Sequence, residues 1–183
     1  MDYFDQLQYI AKVDKNDKVI GKIERWQAHK KGILHRGFTL AVFYKNKIVL
    51  QHRKHPVFDG VFDATISSHQ IFENEKLEDD ISAIYKTLDR EWNIGEENLD
   101  AKPKYVGKIY YQATDPRSDF KEHEICRIFS CSLKNLKLPN FEFAYGLIVK
   151  PLNEIKNPKN PLYPLLAPWV IKAFPQISGS AAS

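Results

Sequence analysis

A chain of 183 residues with 43% hydrophobic content can bury one full core but not two comfortable ones, so a single domain is expected. A net charge of +4, with no basic stripe interleaved with aromatics, suits an anionic small molecule and argues against a nucleic-acid partner. No apolar run approaches the roughly 20 residues of a membrane span and no leader pattern opens the chain, so no membrane association and a cytoplasmic location are expected.

In chain order, residues 9–13 and 18–23 read as short β runs around DKND, and a short helix begins at Glu24 and ends near Gly32. FTLAVFY and IVLQHR flank the turn Lys45, Asn46, Lys47, a second hairpin whose first strand is central and which Arg53 closes. The stretch from Asp59 to Ile94 reads as a loop, a short buried strand, His69 and one long amphipathic helix. On that helix Leu77, Ile81, Ile84, Leu88 and Trp92 recur at three-and-four spacing. At 100° per residue Glu91 projects within about 40° of the stripe's centre, while Lys86, Asp89 and Arg90 fall off it and read as solvated. An inward carboxylate needs a partner; the plainer reading is a helix-end glutamate that snorkels outward. Residues 105–112 and 120–132 form a third hairpin around TDPRSD. A strand at 144–149, a helical turn at PLNEI and a closing helix at 167–174, with Pro168 in its first turn, follow. Cys126 and Cys131 lie in one apolar run at positions of opposite facing, which predicts free thiols. The class is α/β in the mixed α+β sense, a central mixed β-sheet packed between helices. The domain is expected to span 1–175, and 176–183, ending SGSAAS, to be a disordered tail or a cloning remnant.

Three of the six histidines, His29, His35 and His69, sit at element boundaries. In FKEHEIC, strand alternation puts Glu122, Glu124 and Cys126 on one face and His123 on the other, with the two carboxylates roughly 6 to 7 Å apart. Like charges so placed repel unless a cation bridges them. Three imidazoles and two carboxylates suit an octahedral Mg²⁺, Mn²⁺ or Zn²⁺ with one open position better than a closed tetrahedral zinc site. An exposed acidic strand face with ordinary rim histidines is the plainer alternative.

The order AHKKGILHRGF, VLQHR, SSHQ, YYQATDP, EHEIC, APWV resembles type I isopentenyl-diphosphate isomerase and the isomerase-like branch of the Nudix superfamily, over about residues 11–174. The resemblance implies a Nudix fold, a metal held by His29, His35, His69, Glu122 and Glu124, and a second Mg²⁺ held by Glu91 through the substrate diphosphate. It implies Mg²⁺ and/or Mn²⁺ as cofactor, with Zn²⁺ within the donor set's range, and an isoprenyl diphosphate as ligand, in a monomer or homodimer. In the implied reaction the double bond of isopentenyl diphosphate is protonated, a tertiary carbocation forms, and a proton leaves from the opposite side. Glu124 with Tyr111 matches the proton relay on one side.

On the other side the family has a cysteine two residues before the third metal histidine, and this chain has Ser67. A serine hydroxyl cannot ionise usefully without a base of its own, so an impaired or redirected isomerase is expected. Arg25, Arg53 and Lys86 match basic positions for the diphosphate, although Lys86 points off the apolar stripe. The cation-shielding aromatic falls at Pro164 or, with a one-residue slip, at Tyr163. The superfamily's R-E-x-x-E-E helix reads Lys86, Thr87, Leu88, Asp89, Arg90, Glu91 and keeps only its last acid, which argues against an ordinary nucleoside-diphosphate hydrolase. The rival readings are a Nudix-type hydrolase of an isoprenyl or other diphosphate and a non-catalytic diphosphate-binding module.

Overall fold

A computed structural model describes residues 3–180. In chain order, β1 (Tyr9–Val13) and β2 (Val19–Glu24) form a hairpin, and α1 (Arg25–Lys31) leads into β3 (His35–Tyr44) and β4 (Lys47–Arg53). β5 (Phe62–Asp63) and β6 (Ile66–Ser68) are short, and β7 (Phe72–Glu73) and β8 (Lys76–Leu77) precede α2 (Asp80–Trp92). β9 (Lys104–Thr114), β10 (Lys121–Ser132), β11 (Ala144–Lys150), α3 (Leu152–Ile155) and α4 (Pro168–Ser180) complete the chain.

The apolar run of β3 is buried at every residue but its last, as a strand covered on both faces must be. It pairs antiparallel with β4, β6 and β1, and in parallel with β10, which in turn pairs antiparallel with β9. The tight β3–β4 turn holds Lys45 and Asn46 at φ 49° and 60°, the left-handed pair a two-residue hairpin demands. Side-chain alternation divides this mixed sheet into two cores. Ala41, Phe43, Cys126 and Ile128 pack against Trp169, Val170, Ala173 and Phe174 of α4. Leu40, Val42, Phe129 and Cys131 pack against Ile84, Leu88 and Trp92 of α2. The two cysteines thus lie on opposite faces, both buried and free.

Two expectations need correction. The long helix does not reach Leu77: α2 starts at Asp80, where the Asp79 carboxylate accepts from the Ser82 N–H and satisfies an otherwise unpaired helix donor. The preceding segment instead turns at Asn74 and Glu75, φ 47° and 65°, so that β7 and β8 pair and Leu77 packs near Ala11, Val13 and Ile125. The chain from 176 to 180 is helical rather than a tail, because Ile177 continues the buried face of α4 one turn past Phe174. Residues 181–183 lie outside the described part. Among the described residues no helix is long and apolar enough to cross a membrane.

Candidate active site

Four elements bring the histidines and glutamates together. The Glu24 carboxylate accepts from the N–H groups of Trp26 and Gln27 to start α1, and Gly32, at φ 60°, ends it, leaving His29 on the buried side. His35 opens β3, Glu124 lies level with it on β10, and Tyr111 lies level with Glu124 on β9. His69 follows β6 directly. The three imidazole ring centres stand 4.8, 5.2 and 5.1 Å apart. One ligand atom from each of His29, His35 and His69 lies within 4.8 Å of the others, and the same holds for His35, Glu122 and Glu124. Gly37 makes room for them: a Cβ there would meet Glu124 Oε1 at 2.6 Å.

The electrostatics of this cluster are unbalanced. His35 Nδ1 donates to the Ile33 carbonyl at 2.7 Å, so in a neutral ring Nε2 turns its lone pair toward Glu124 Oε1 at 3.3 Å and Glu122 Oε2 at 4.0 Å. Lone pairs that face carboxylate oxygens need a proton or a cation between them. His29 Nδ1, His35 Nε2 and Glu122 Oε2 are buried with no hydrogen-bond partner, each an expense of about 1–3 kcal/mol or more. Burial, and then His35 and His69, hold His29 well below the usual imidazole range. Burial and the neighbouring Glu124 push Glu122 well above the usual carboxylate range. Burial opposes charge on Glu124 too, but His35 and His69 beside it pull that carboxyl well below the range. Nitrogen lone pairs and carboxylate oxygens converging with three orphaned atoms fit a divalent cation.

Next to the cluster lies a cavity of about 20 Å³ lined by Arg53, Ser67, Tyr111, Glu122, Glu124 and Trp169 among others. The Tyr111 hydroxyl donates to Glu124 Oε2 at 2.8 Å, and burial, then Glu122 and Glu124, raise its phenol well above 10, so it stays protonated. Ser67 Oγ sits 2.9 Å from Asp63 Oδ1, 2.8 Å from Thr39 Oγ1 and 3.0 Å from Trp169 Nε1. Arg53 pairs with Asp63 Oδ2 at 3.2 Å. Cys126 lies 3.3 Å from the far side of Thr39 Oγ1, and burial pushes its thiol well above the usual range, which leaves it inert.

Other expected residues lie elsewhere. Glu91 does point inward, but it is not one of the clustered ligand atoms; its carboxylate meets Arg90 Nη2 at 2.8 Å and Gln51 Nε2 at 3.5 Å. Arg25 is buried against the N-terminal segment, donating to Gln8 Oε1 at 2.6 Å and the Phe4 carbonyl at 3.1 Å, and stacks on Tyr3. Lys86 faces away from the site because Glu73 and Glu78 hold its ammonium, each at 2.6 Å. Tyr163 packs on Phe174 and does not line the cavity; Trp169 is the aromatic there. Arg90, read as solvated, is half-buried over the Tyr3 ring at 3.9 Å. It lines a separate cleft of about 1000 Å³ together with Lys54, Asp59 and Tyr145. Sequence reasoning missed Asp63, Trp169 and Arg90. The one available signal was helical: with Ala173 facing inward on α4, Trp169 four residues earlier must face inward too.

No model of a protein family matches the chain. It is 32% identical over 127 residues to human isopentenyl-diphosphate delta-isomerase 2, a match covering 62% of this chain and 56% of that protein. It is 27% identical over 128 residues to isopentenyl-diphosphate Delta-isomerase 1 of Photorhabdus laumondii, covering 67% of this chain and 68% of that one. The match thus spans little more than half the length of the human relative. Among solved structures, one from Deinococcus radiodurans aligns with a TM-score of 0.66 at 11% identity, covering 91% of this chain and 97% of its own. A MutT Nudix hydrolase from Burkholderia pseudomallei aligns with a TM-score of 0.57 at 15% identity, covering 79% and 98%. At these identities the structural likeness establishes the Nudix fold.

Proposed function

We propose that this chain, an isomerase-like member of the Nudix superfamily, is a divalent-metal-dependent protein acting on an isoprenyl diphosphate, with Ser67 in place of the expected cysteine. The observation that carries the reading is the convergence of His29, His35, His69, Glu122 and Glu124 beside a Tyr111–Glu124 hydrogen bond of 2.8 Å. Mg²⁺ or Mn²⁺ held by those five side chains would neutralise two buried carboxylates and fill the three orphaned atoms. Tyr111 and Glu124 then hold a proton at the phenol oxygen, and Ser67 borders the same cavity for the second proton transfer. Arg53 is the buried cation nearest that cavity and suits a diphosphate oxygen. Arg90 lines the other cleft and pairs with the buried Glu91 at 2.8 Å, a carboxylate and a guanidinium for a second Mg²⁺ and the diphosphate, and Arg25 lies over the same Tyr3 ring as Arg90.

The inner cavity has room for about one water, so a five-carbon chain enters only when the walls move. The hydrolase alternative is weakened by α2, which turns a single carboxylate, Glu91, inward where metal-assisted diphosphate cleavage needs several. A cytoplasmic location belongs to the same reading and is supported by two buried free thiols.

The test is incubation of metal-loaded protein with isopentenyl diphosphate in heavy water, following deuterium uptake, allylic product and released phosphate together. Deuterated allylic diphosphate without phosphate release is the expected result. Phosphate release alone means hydrolysis, and binding with neither product means a diphosphate-binding module.

A further inference from the structure

The hydrogen-bond pattern around Ser67 offers its proton a buried carboxylate. Trp169 Nε1–H can only donate, and it stands 2.7 Å from Asp63 Oδ1 and 3.0 Å from Ser67 Oγ, so the serine oxygen receives rather than gives along that line. The Ser67 hydrogen has two acceptors in reach, Asp63 Oδ1 at 2.9 Å and the Thr39 hydroxyl oxygen at 2.8 Å, and the carboxylate is the more basic of the two. Asp63 is fully buried, which raises its carboxyl above the usual range and makes it a better proton acceptor. Arg53 Nη1, at 3.2 Å from Oδ2, keeps the ionised form accessible. Ser67 lines the cavity that Tyr111 and Glu124 also line, whereas Asp63 sits behind it. A buried carboxylate hydrogen-bonded to a hydroxyl at a reactive cavity is the base that a serine needs before it can take a proton.

We propose that Ser67 and Asp63 form one proton-transfer unit in this chain, Ser67 touching the substrate and Asp63, a positioning residue, receiving the proton behind it. The proposal rests on the isomerase reading. In the step it describes, a C–H bond on the carbon next to the cationic centre breaks and its electron pair becomes the new double bond. The released proton bonds to Ser67 Oγ as the serine's own proton passes to Asp63 Oδ1. Return of that proton along the same path, with exchange to solvent once product leaves, restores the carboxylate. The unit takes over what a thiolate would do alone, since a thiol carries its own acidity and a serine borrows it.

The test is a double-mutant cycle on the Mg²⁺-loaded protein with isopentenyl diphosphate in heavy water. Ser67→Ala and Asp63→Asn are each expected to lower kcat about 100-fold, the order of a lost acid–base group, with KM changed less than about threefold. In a Ser67→Cys background, where the thiol ionises by itself, Asp63→Asn is expected to cost less than about threefold. An equal loss in both backgrounds would mean that Asp63 only holds the fold together, and overturns the proposal. Asp63→Asn leaves Arg53 without its carboxylate, so thermal unfolding accompanies each variant. If that variant does not fold, Ser67→Ala decides, because it keeps the Arg53–Asp63 pair: turnover within about threefold of the unaltered chain refutes the unit, and a loss near 100-fold supports it. Absence of deuterated allylic product from the unaltered protein fails the isomerase reading, and the proposal with it. Turnover in the unaltered chain that survives both substitutions fails the proposal alone.

Discussion

Two buried charged clusters sit in this one sheet, and they are built in opposite ways. Around Asp17 every charge is answered: Arg36 Nε lies 2.6 Å from Oδ1, Arg127 Nη2 lies 2.8 Å from Oδ2, and Arg127 Nη1 reaches Asp80 at 2.8 Å. Asp80 in turn takes the Gln70 amide at 2.6 Å. Around Glu124 stand imidazoles, the Tyr111 hydroxyl and a second glutamate, with no lysine or arginine bonded to either carboxylate among the described residues, and three ligand atoms have no partner. A saturated network fixes β3, β10 and the start of α2 relative to one another. An unsaturated one costs stability and is kept where a ligand completes it.

That contrast can be broken from either side. If the proposed function holds, Glu124→Gln should lower isomerase turnover by about 10²–10⁴-fold, since it removes both a candidate metal oxygen and the charged acceptor of the Tyr111 hydroxyl. Its Tm in chelator should change little, because the loss of a charge that faces Glu122 offsets the loss of the charge that His35 and His69 favour. Steady-state kinetics and calorimetric unfolding read the two effects separately. Asp17→Ala should do the reverse, costing about 3–5 kcal/mol by leaving Arg36 and part of Arg127 unpaired while metal affinity holds, measured by denaturant unfolding.

Acid should separate the clusters more gently. Unfolded His29 takes a proton near pH 6.5, whereas burial and its imidazole neighbours keep the folded residue neutral until well below that. Below about pH 6.5 the unfolded chain therefore binds more protons, and stability in chelator should fall as pH drops through that window. His29→Gln should flatten this slope in a pH series of unfolding curves. The smallest effect belongs to Lys86→Ala. Its ammonium is half-exposed and tied to Glu73 and Glu78, so stability should change by less than about 1 kcal/mol and diphosphate affinity, by calorimetric titration, not at all.

How much of this was legible in the sequence depended on how local the cause was. Alternation along FKEHEIC is a property of a single strand, and it placed Glu122, Glu124 and Cys126 on one face and Cys131 on the other before any packing was known. The helical period likewise turned Glu91 inward, where it is buried. Leu77 matched the same period but was claimed by a two-residue left-handed turn and the Asp79 cap, short signals that an apolar stripe hides. Asp63 was invisible for a different reason. Its partners are Arg53, Ser67 and Trp169, the last 106 residues away, and no spacing rule reaches that far. Tyr163 and Lys86 were assigned through the family likeness, and in both cases nearer partners hold the side chain elsewhere.

The Glu124 cluster needs a ligand to complete it. Titration of chelator-treated protein with Mn²⁺ in a calorimeter tests this directly, with the unaltered chain beside His35→Gln and Glu122→Gln. One tightly held ion per chain at the cluster is predicted, with a rise in Tm that grows with free Mn²⁺, and with both lost in either variant. No saturable binding, or binding that both variants keep unchanged, would contradict it.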